Sequence, residues 1–262
     1  MEEMKTQGLI LTTTNLNDND KIFTIQTRSA GKITAISKGI RSHKHKDFAS
    51  LQNFCYSEMV LTKKTGLYYV NSATVINNFY GIRNSVEQMS FAAYFVDVVK
   101  SFPEELPLED DYFSFVLNTL YLTSKAQEKC KNGDVTGYLT RLKSVFEMKT
   151  VCFAGFMPTV SECDICGAKK DLEYFDTAGG TAVCKDCHIH SSGDLIKINP
   201  NVLMMLAFLI NADYKTVFSF GGADADIDVI SHITEKYMIN SMEIFPSSLT
   251  YLKTVLSAEN NV

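Results

Sequence analysis

The sequence has no tryptophan, only five prolines in 262 residues, and no unbroken run of 18 apolar side chains. Its longest apolar stretches, such as Val202–Ile210, are too short to span a bilayer, which excludes a helical membrane anchor. The opening Met1-Glu-Glu-Met-Lys5 lacks the apolar core of a secretory signal, so a reducing cytoplasm is the expected location. Catalytic signatures are missing too. Gly179-Gly180 and Gly221-Gly222 are not followed by the Lys-Ser/Thr of a phosphate-binding loop, and neither Gly-x-Ser-x-Gly nor His-Glu-x-x-His occurs. Asp224, Asp226 and Asp228 alternate, but they lead into a helical pattern and lack the glycine and glutamate of a calcium loop. The expectation is a protein that binds without catalysing.

What is present fits a globular chain with room for two cores: 45% of residues are hydrophobic and 21% charged. The net charge of −5 suggests a poor partner for polyanions, but it is unevenly distributed. Between Lys21 and Lys64 stand nine cations (Lys21, Arg28, Lys32, Lys38, Arg41, Lys44, Lys46, Lys63, Lys64) against Asp47 and Glu58. That segment carries +7 and leaves −12 on the remainder, the asymmetry of a basic binding surface on an acidic carrier.

Hydrophobic periodicity divides the chain. Period-2 alternation predicts strands over Gly8–Thr14, Lys21–Thr27, Gly31–Ser37, Tyr56–Lys63 and Leu67–Ile76, with Phe23 and Ile25, Ile33 and Ala35, and Met59 and Leu61 each sharing one face of their strand. Five short strands in about 70 residues suggest a small barrel, since closure removes exposed edges. From Ser85 the period becomes helical: Ser85-x-x-Gln88 is a capping-box candidate, and Met89, Ala92, Ala93, Val96 and Val99 mark one face. Further helices are predicted near Asp110–Lys129, from Asp134 to about Ala154, over Asn201–Ala212 behind an Asn199-Pro200 cap, and near Asp226–Met242 and Ser247–Ser257. The acidic knot Glu104–Asp111 reads as a solvated loop, with Asp110 and Asp111 able to cap the next helix.

A polar insert, Thr159–Ile198, holds Cys163-x-x-Cys166 and Cys184-x-x-Cys187 with 17 residues between the pairs. Each pair supplies two thiolates from one turn, and two such turns close a tetrahedron, so Cys163, Cys166, Cys184 and Cys187 are the candidate ligands of one Zn²⁺. Redox dithiols, a rubredoxin-like iron site and free thiols are the competing readings. Four thiolates leave no open coordination position, which makes the metal structural. His188 and His190 lie close by but are not needed as ligands, and Cys55, Cys130 and Cys152 read as small apolar residues.

The basic segment supplies the candidate nucleic-acid contacts Arg28, Lys32, Lys38, Arg41, Lys44 and Lys46, the last four on one long loop with His43 and His45. Each phosphate met by such a cation releases counterions. Phe48, Tyr56, Tyr68 and Tyr69 could stack on bases or simply fill core and surface. The competing functions are an RNA-binding barrel and zinc-ribbon protein, and a scaffold whose basic loop docks an acidic tail.

These residues resemble a known family, the bacterial recombination mediator RecO. The resemblance spans about residues 5–255 and is carried by Gly8-Leu-Ile-Leu11, Thr27-Arg-x-x-Gly31-Lys32, Lys38-Gly39-x-Arg41, Leu51-Gln-x-Phe54, Gly66-Leu67, Ala92-Ala-Tyr94 and Phe146 with Lys149. Its strongest stretch is Gly155-x-x-Pro158-x4-Cys163-x-x-Cys166-Gly167, followed by Phe175 and Gly179-Gly180-x-x-Cys184-x-x-Cys187. It implies an α+β protein: an OB-fold barrel over residues 1–80, a helical domain in two parts (81–158 and 199–262), and a zinc module over 159–198 between them. It also implies binding of single- and double-stranded DNA, strand annealing, and partnership with RecR and single-stranded-DNA-binding protein in loading RecA, in a nucleoid-associated setting. Asp47 and Phe48 depart from the family by standing where a further basic residue is common, and Pro246-Ser247-Ser248-Leu249 replaces a more basic turn.

Overall fold

The computed structural model describes residues 3–103, 108–130 and 133–259. The chain divides into two compact units, one formed by Met1–Lys125 with Pro246–Val262 and the other by Ala126–Phe245.

Five strands open the first unit: β1 (Glu3–Asn15), β2 (Lys21–Thr27), β3 (Lys32–Ser37), β4 (Tyr56–Lys64) and β5 (Leu67–Asn77). They close into a barrel in the order β1-β2-β3-β5-β4, with β3 and β5 parallel. Strand β1 achieves the closure because its length lets it pair twice: Gly8 faces Thr27 of β2 on one side and Ser57 of β4 on the other. This is the five-stranded OB-type barrel followed by helices and a four-cysteine module. The inward set matches the alternation in the sequence, since Phe23, Ile25, Ile33, Ala35, Met59 and Leu61 all lie in the barrel core, joined by Ile10, Ile40, Leu51 and Cys55.

Helices α1 (Val86–Lys100), α2 (Asp110–Ser124) and α7 (Ser247–Glu259) complete this unit. Ser85 caps α1 by accepting the Gln88 N–H, but the reciprocal half of the capping box does not form. Gln88 is instead buried and donates its side-chain amide to the Thr123 carbonyl of α2. Nor does α1 bury the single stripe the sequence suggests. Phe91, Tyr94, Phe95 and Val98 are buried as well, and Met89 is exposed, because α2 and α7 both pack on this helix. Asp97 of α1 accepts from both Ser247 and Ser248, so α7 borrows its N-terminal cap from a neighbouring helix. The helix expected to reach Lys129 breaks at Lys125, and Ala126–Lys129 forms a separate short α3. Of the acidic knot, residues 104–107 lie outside the described residues; Glu109 is the α2 cap residue, without a side-chain hydrogen bond.

The second unit holds α4 (Val135–Phe153), a sheet of β6 (Thr159–Cys163), β7 (Leu172–Asp176), β8 (Thr181–Cys184) and β9 (Leu195–Lys197) in the order β6-β8-β7-β9, then α5 (Pro200–Asn211) and α6 (Asp224–Met242). Asp134 caps α4 through Gly137 N–H and Asn199 caps α5 through Val202 N–H, both as the sequence indicates. Between α4 and α6, buried Lys143 bridges Glu147 and Glu235 at 2.8 and 2.9 Å, while Thr234 donates to Glu147. The buried amine is thus paired with two carboxylates, and the Thr234 hydroxyl supplies Glu147 with a further donor. Asp226 is also committed within the unit, since its carboxylate accepts from Asn199 and Asn201.

Candidate nucleic-acid interface and metal centre

The six candidate cations sort into two groups in the first unit. Arg28 and Lys32, at the ends of β2 and β3, are occupied by the unit's own helical part. The Arg28 guanidinium donates to Tyr56 Oη (3.1 Å), pairs with Asp110 (2.5 Å) and lies 4.9 Å from the centre of the Phe113 ring. Tyr56 in turn donates to Gln7 at 2.6 Å. Lys32 Nζ donates to the carbonyls of Lys100 and Phe102, at the end of α1. Asp110 therefore engages the barrel's arginine, where the sequence offered it as a helix cap.

Lys38, Arg41, Lys44 and Lys46 form the second group, all exposed on the β3–β4 loop and, among the described residues, without a carboxylate partner. The loop is braced. Arg41 donates its backbone N–H to Asn19 O and its guanidinium to Asn17 O, while Gly39 N–H donates to Asp20. Hydrogen bonds from Asn17 and then Gly39 hold the Asp20 carboxyl below its ordinary pKa. Asp47 is buried and accepts the Ala73 N–H of β5. An acid stands at this position because it ties the loop to the barrel, a job no cation could do. His45 lies 4.0 Å from that carboxylate, and His43 meets the Phe48 ring edge-on at 4.7 Å.

Two cations counted in the basic segment but not placed in the site join this surface. Lys63 and Lys64 end β4 beside the two-residue turn Thr65-Gly66, both of whose residues have positive φ (45° and 84°) as a tight hairpin requires. Lys63 Nζ lies 5.4 Å from the Tyr68 ring centre, and Lys64 and Lys38 lie 5.6 and 6.0 Å from that of Tyr69. The β3–β5 pairing is what brings Lys38 beside them. Recognising the barrel's strand order, rather than any local pattern, is the signal that finds them.

In the second unit, the Sγ atoms of Cys163, Cys166, Cys184 and Cys187 lie within 4.8 Å of one another, with Cys166 and Cys184 at 3.8 Å. A tetrahedral Zn²⁺ with Zn–S bonds of about 2.3 Å needs sulfurs about 3.8 Å apart, so the donor set fits such an ion. The turns are built for it: Gly167 N–H donates to Cys163 O with Gly167 at φ 72°, and Cys187 N–H donates to Cys184 O. Burial acts to raise the Cys163 thiol, but N–H groups of Cys184, Cys166 and Ile165 outweigh it and bring it down to about 6. Proton sharing with Cys166 and Cys184 pushes Cys187 up to about 12. Four adjacent thiolates repel one another unless a cation sits among them. His188 faces elsewhere, stacked on Tyr174 at 4.6 Å with Nδ1 2.5 Å from Lys185 O. Cys55 is buried in the barrel core, and burial raises the thiols of Cys55, Cys130 and Cys152, the opposite of a reactive cysteine. Among the described residues, no helix is long and apolar enough to cross a membrane.

Comparison with known proteins gives the family. The family model described as "Recombination protein O N terminal" matches residues 1–79, and "Recombination protein O C terminal" matches residues 83–249. The chain is 31% identical over 256 residues to the DNA repair protein RecO of Acetivibrio thermocellus, covering 97% of this chain and 98% of that protein. It is 31% identical to the protein of the same name from Alkaliphilus metalliredigens and 28% identical to that from Caldanaerobacter subterraneus, in each case over 82% of this chain and 83% of the relative. With models matched on both sides of residue 80 and a relative aligned over nearly its full length, the chain belongs to the Recombination protein O family.

Proposed function

We propose that this chain is a non-enzymatic mediator of DNA repair by recombination. It binds single- and double-stranded DNA on the barrel of residues 1–80, promotes annealing of complementary strands, and acts with RecR and single-stranded-DNA-binding protein to load RecA. The observation that carries this reading is the braced loop with Lys38, Arg41, Lys44 and Lys46 exposed and, among the described residues, without a salt-bridge partner on a closed OB-type barrel. Cations so placed screen the repulsion between two phosphate backbones, which lowers the cost of pairing them. Arg28 and Lys32 instead brace the barrel against its helical neighbours. One Zn²⁺ on Cys163, Cys166, Cys184 and Cys187 would hold the 159–198 module together, and a closed four-thiolate shell supplies structure rather than chemistry.

Salt titration with strand annealing tests the reading. If about five phosphates of a single strand are contacted, log K falls with log salt at a slope of about −3.5, and replacing Lys38, Arg41, Lys44 and Lys46 with alanine flattens the slope and weakens all sequences alike. A flat response in the unaltered protein overturns DNA binding. A strong preference for strands bearing 2′-hydroxyls would favour the RNA reading, and annealing that proceeds no faster with the protein than without it would remove the mediator role.

A further inference from the structure

We infer that Tyr69 is the base-stacking platform of the barrel and makes its DNA site prefer an unpaired strand; this rests on the DNA-binding reading above. Of the four aromatic residues the sequence offers for stacking, three are committed elsewhere. Tyr56 is buried, and its hydroxyl links Arg28 to Gln7. Phe48 packs on the barrel core and meets His43. Tyr68 leans on the same core. Tyr69 follows it in β5, and because successive strand residues alternate faces it looks the other way, as the core packing of both Tyr68 and Val70 requires. Its ring is half-buried, and its hydroxyl has no hydrogen-bond partner among the described residues.

The pairing explains what surrounds it. Tyr69 stands opposite Ile36 of β3 and Thr62 of β4. Two residues further along those strands come Lys38 and Lys64, on the same side, with ammonium groups 6.0 and 5.6 Å from the ring centre. Both sit near the outer limit of cation–π attraction, so either can move to a phosphate at little cost. A base laid on the ring would carry its flanking phosphates between these two cations. An unpaired strand can present that base face, whereas a duplex keeps it stacked inside the helix. Exposed loop cations grip any phosphate backbone. Tyr69 adds a contact that only a single strand can make.

Because the chain has no tryptophan, Tyr69→Trp places a single indole at the platform. Binding of a 20-nucleotide oligo(dT) is expected to quench its emission, while a 20-base-pair duplex, shown bound by anisotropy, leaves it unchanged. Tyr69→Leu is expected to weaken oligo(dT) binding at least about fivefold and duplex binding less than about twofold. Tyr69→Phe keeps the ring and the wild-type affinity, and serves as the folded control if the leucine variant is unstable. Unquenched indole with oligo(dT) bound, or equal losses on both DNA forms, overturns the assignment. If alanine at Lys38, Arg41, Lys44 and Lys46 abolishes binding while Tyr69→Leu changes nothing, only the Tyr69 inference fails. If the wild type binds neither DNA, the DNA-binding reading fails and the inference with it.

Discussion

Gly8 lies where β1 pairs on both sides, and a methyl group added there would stand 2.7 Å from Ile25 Cγ2 and 3.1 Å from the Gln26 carbonyl. Met59 Cε lies 2.8 Å away as well. With Ile25 and Met59 both packed in the barrel core and the carbonyl part of the β2 backbone, the site has little room to give. Gly8→Ala is therefore expected to cost about 1–3 kcal/mol by overpacking, read as a lower urea midpoint. Arg28 makes a different case. Its partner Asp110 is 83% exposed, so the ion pair itself contributes at most about 1 kcal/mol, and the bond to Tyr56 and the Phe113 contact add to it. Arg28→Met should lower the melting temperature while changing DNA affinity less than about twofold, in contrast to the loop variants. A large loss of affinity with unchanged melting would return Arg28 to the DNA-contacting set. The Arg28–Asp110 pair spans 82 residues of sequence, and no local pattern encodes such a separation. Asp47 was opaque for the same reason, since its role appears only once β5 lies over the loop.

Among the elements, the strands and the cysteine knuckles were the most legible. Alternation is a local property, and the spacing of the four cysteines is written in consecutive residues. The parallel β3–β5 neighbourhood was not, because parallel partners share no turn. Nor was the wide buried face of α1, which depends on α7, separated from it by nearly 150 residues. Removing the metal from the four-cysteine module should unlock amide exchange across β6, β7 and β8 while the barrel amides stay protected, since a structural zinc site contributes on the order of 10 kcal/mol. Elemental analysis should find one zinc per chain before chelation, and Cys166→Ser should reproduce the loss. In the turn that follows α5, Asp213 accepts from Lys215 N–H and from both the N–H and hydroxyl of Thr216, and bonds led by the Thr216 hydroxyl hold its pKa at about 2. A carboxyl more acidic when folded than unfolded stabilises the fold above its unfolded value of 3.8, and that contribution is lost as pH falls toward 2. The melting-temperature gap between wild type and Asp213→Asn should thus be steady above about pH 5 and vanish near pH 2; a pH-independent gap would show that the charge contributes nothing.

For the whole molecule, the charge that looked unfavourable in total separates by place: +7 between Lys21 and Lys64 and −12 elsewhere. The loop cations, with Lys63 and Lys64, are the exposed part of that surplus without a salt-bridge partner among the described residues, whereas Arg28 and Lys32 are engaged within the unit. The chain also leaves the first unit at Lys125 and re-enters it at Pro246. On a ribosome, that order matters. The segment Ala126–Phe245 emerges as one continuous run and can close at once. The barrel's companion helix α1, made far earlier, must wait with its face for α7 uncovered until the residues after Pro246 are synthesised. A nascent chain stalled before that point would hold a finished second unit and an unfinished first one, and α1 is where a chaperone would find it.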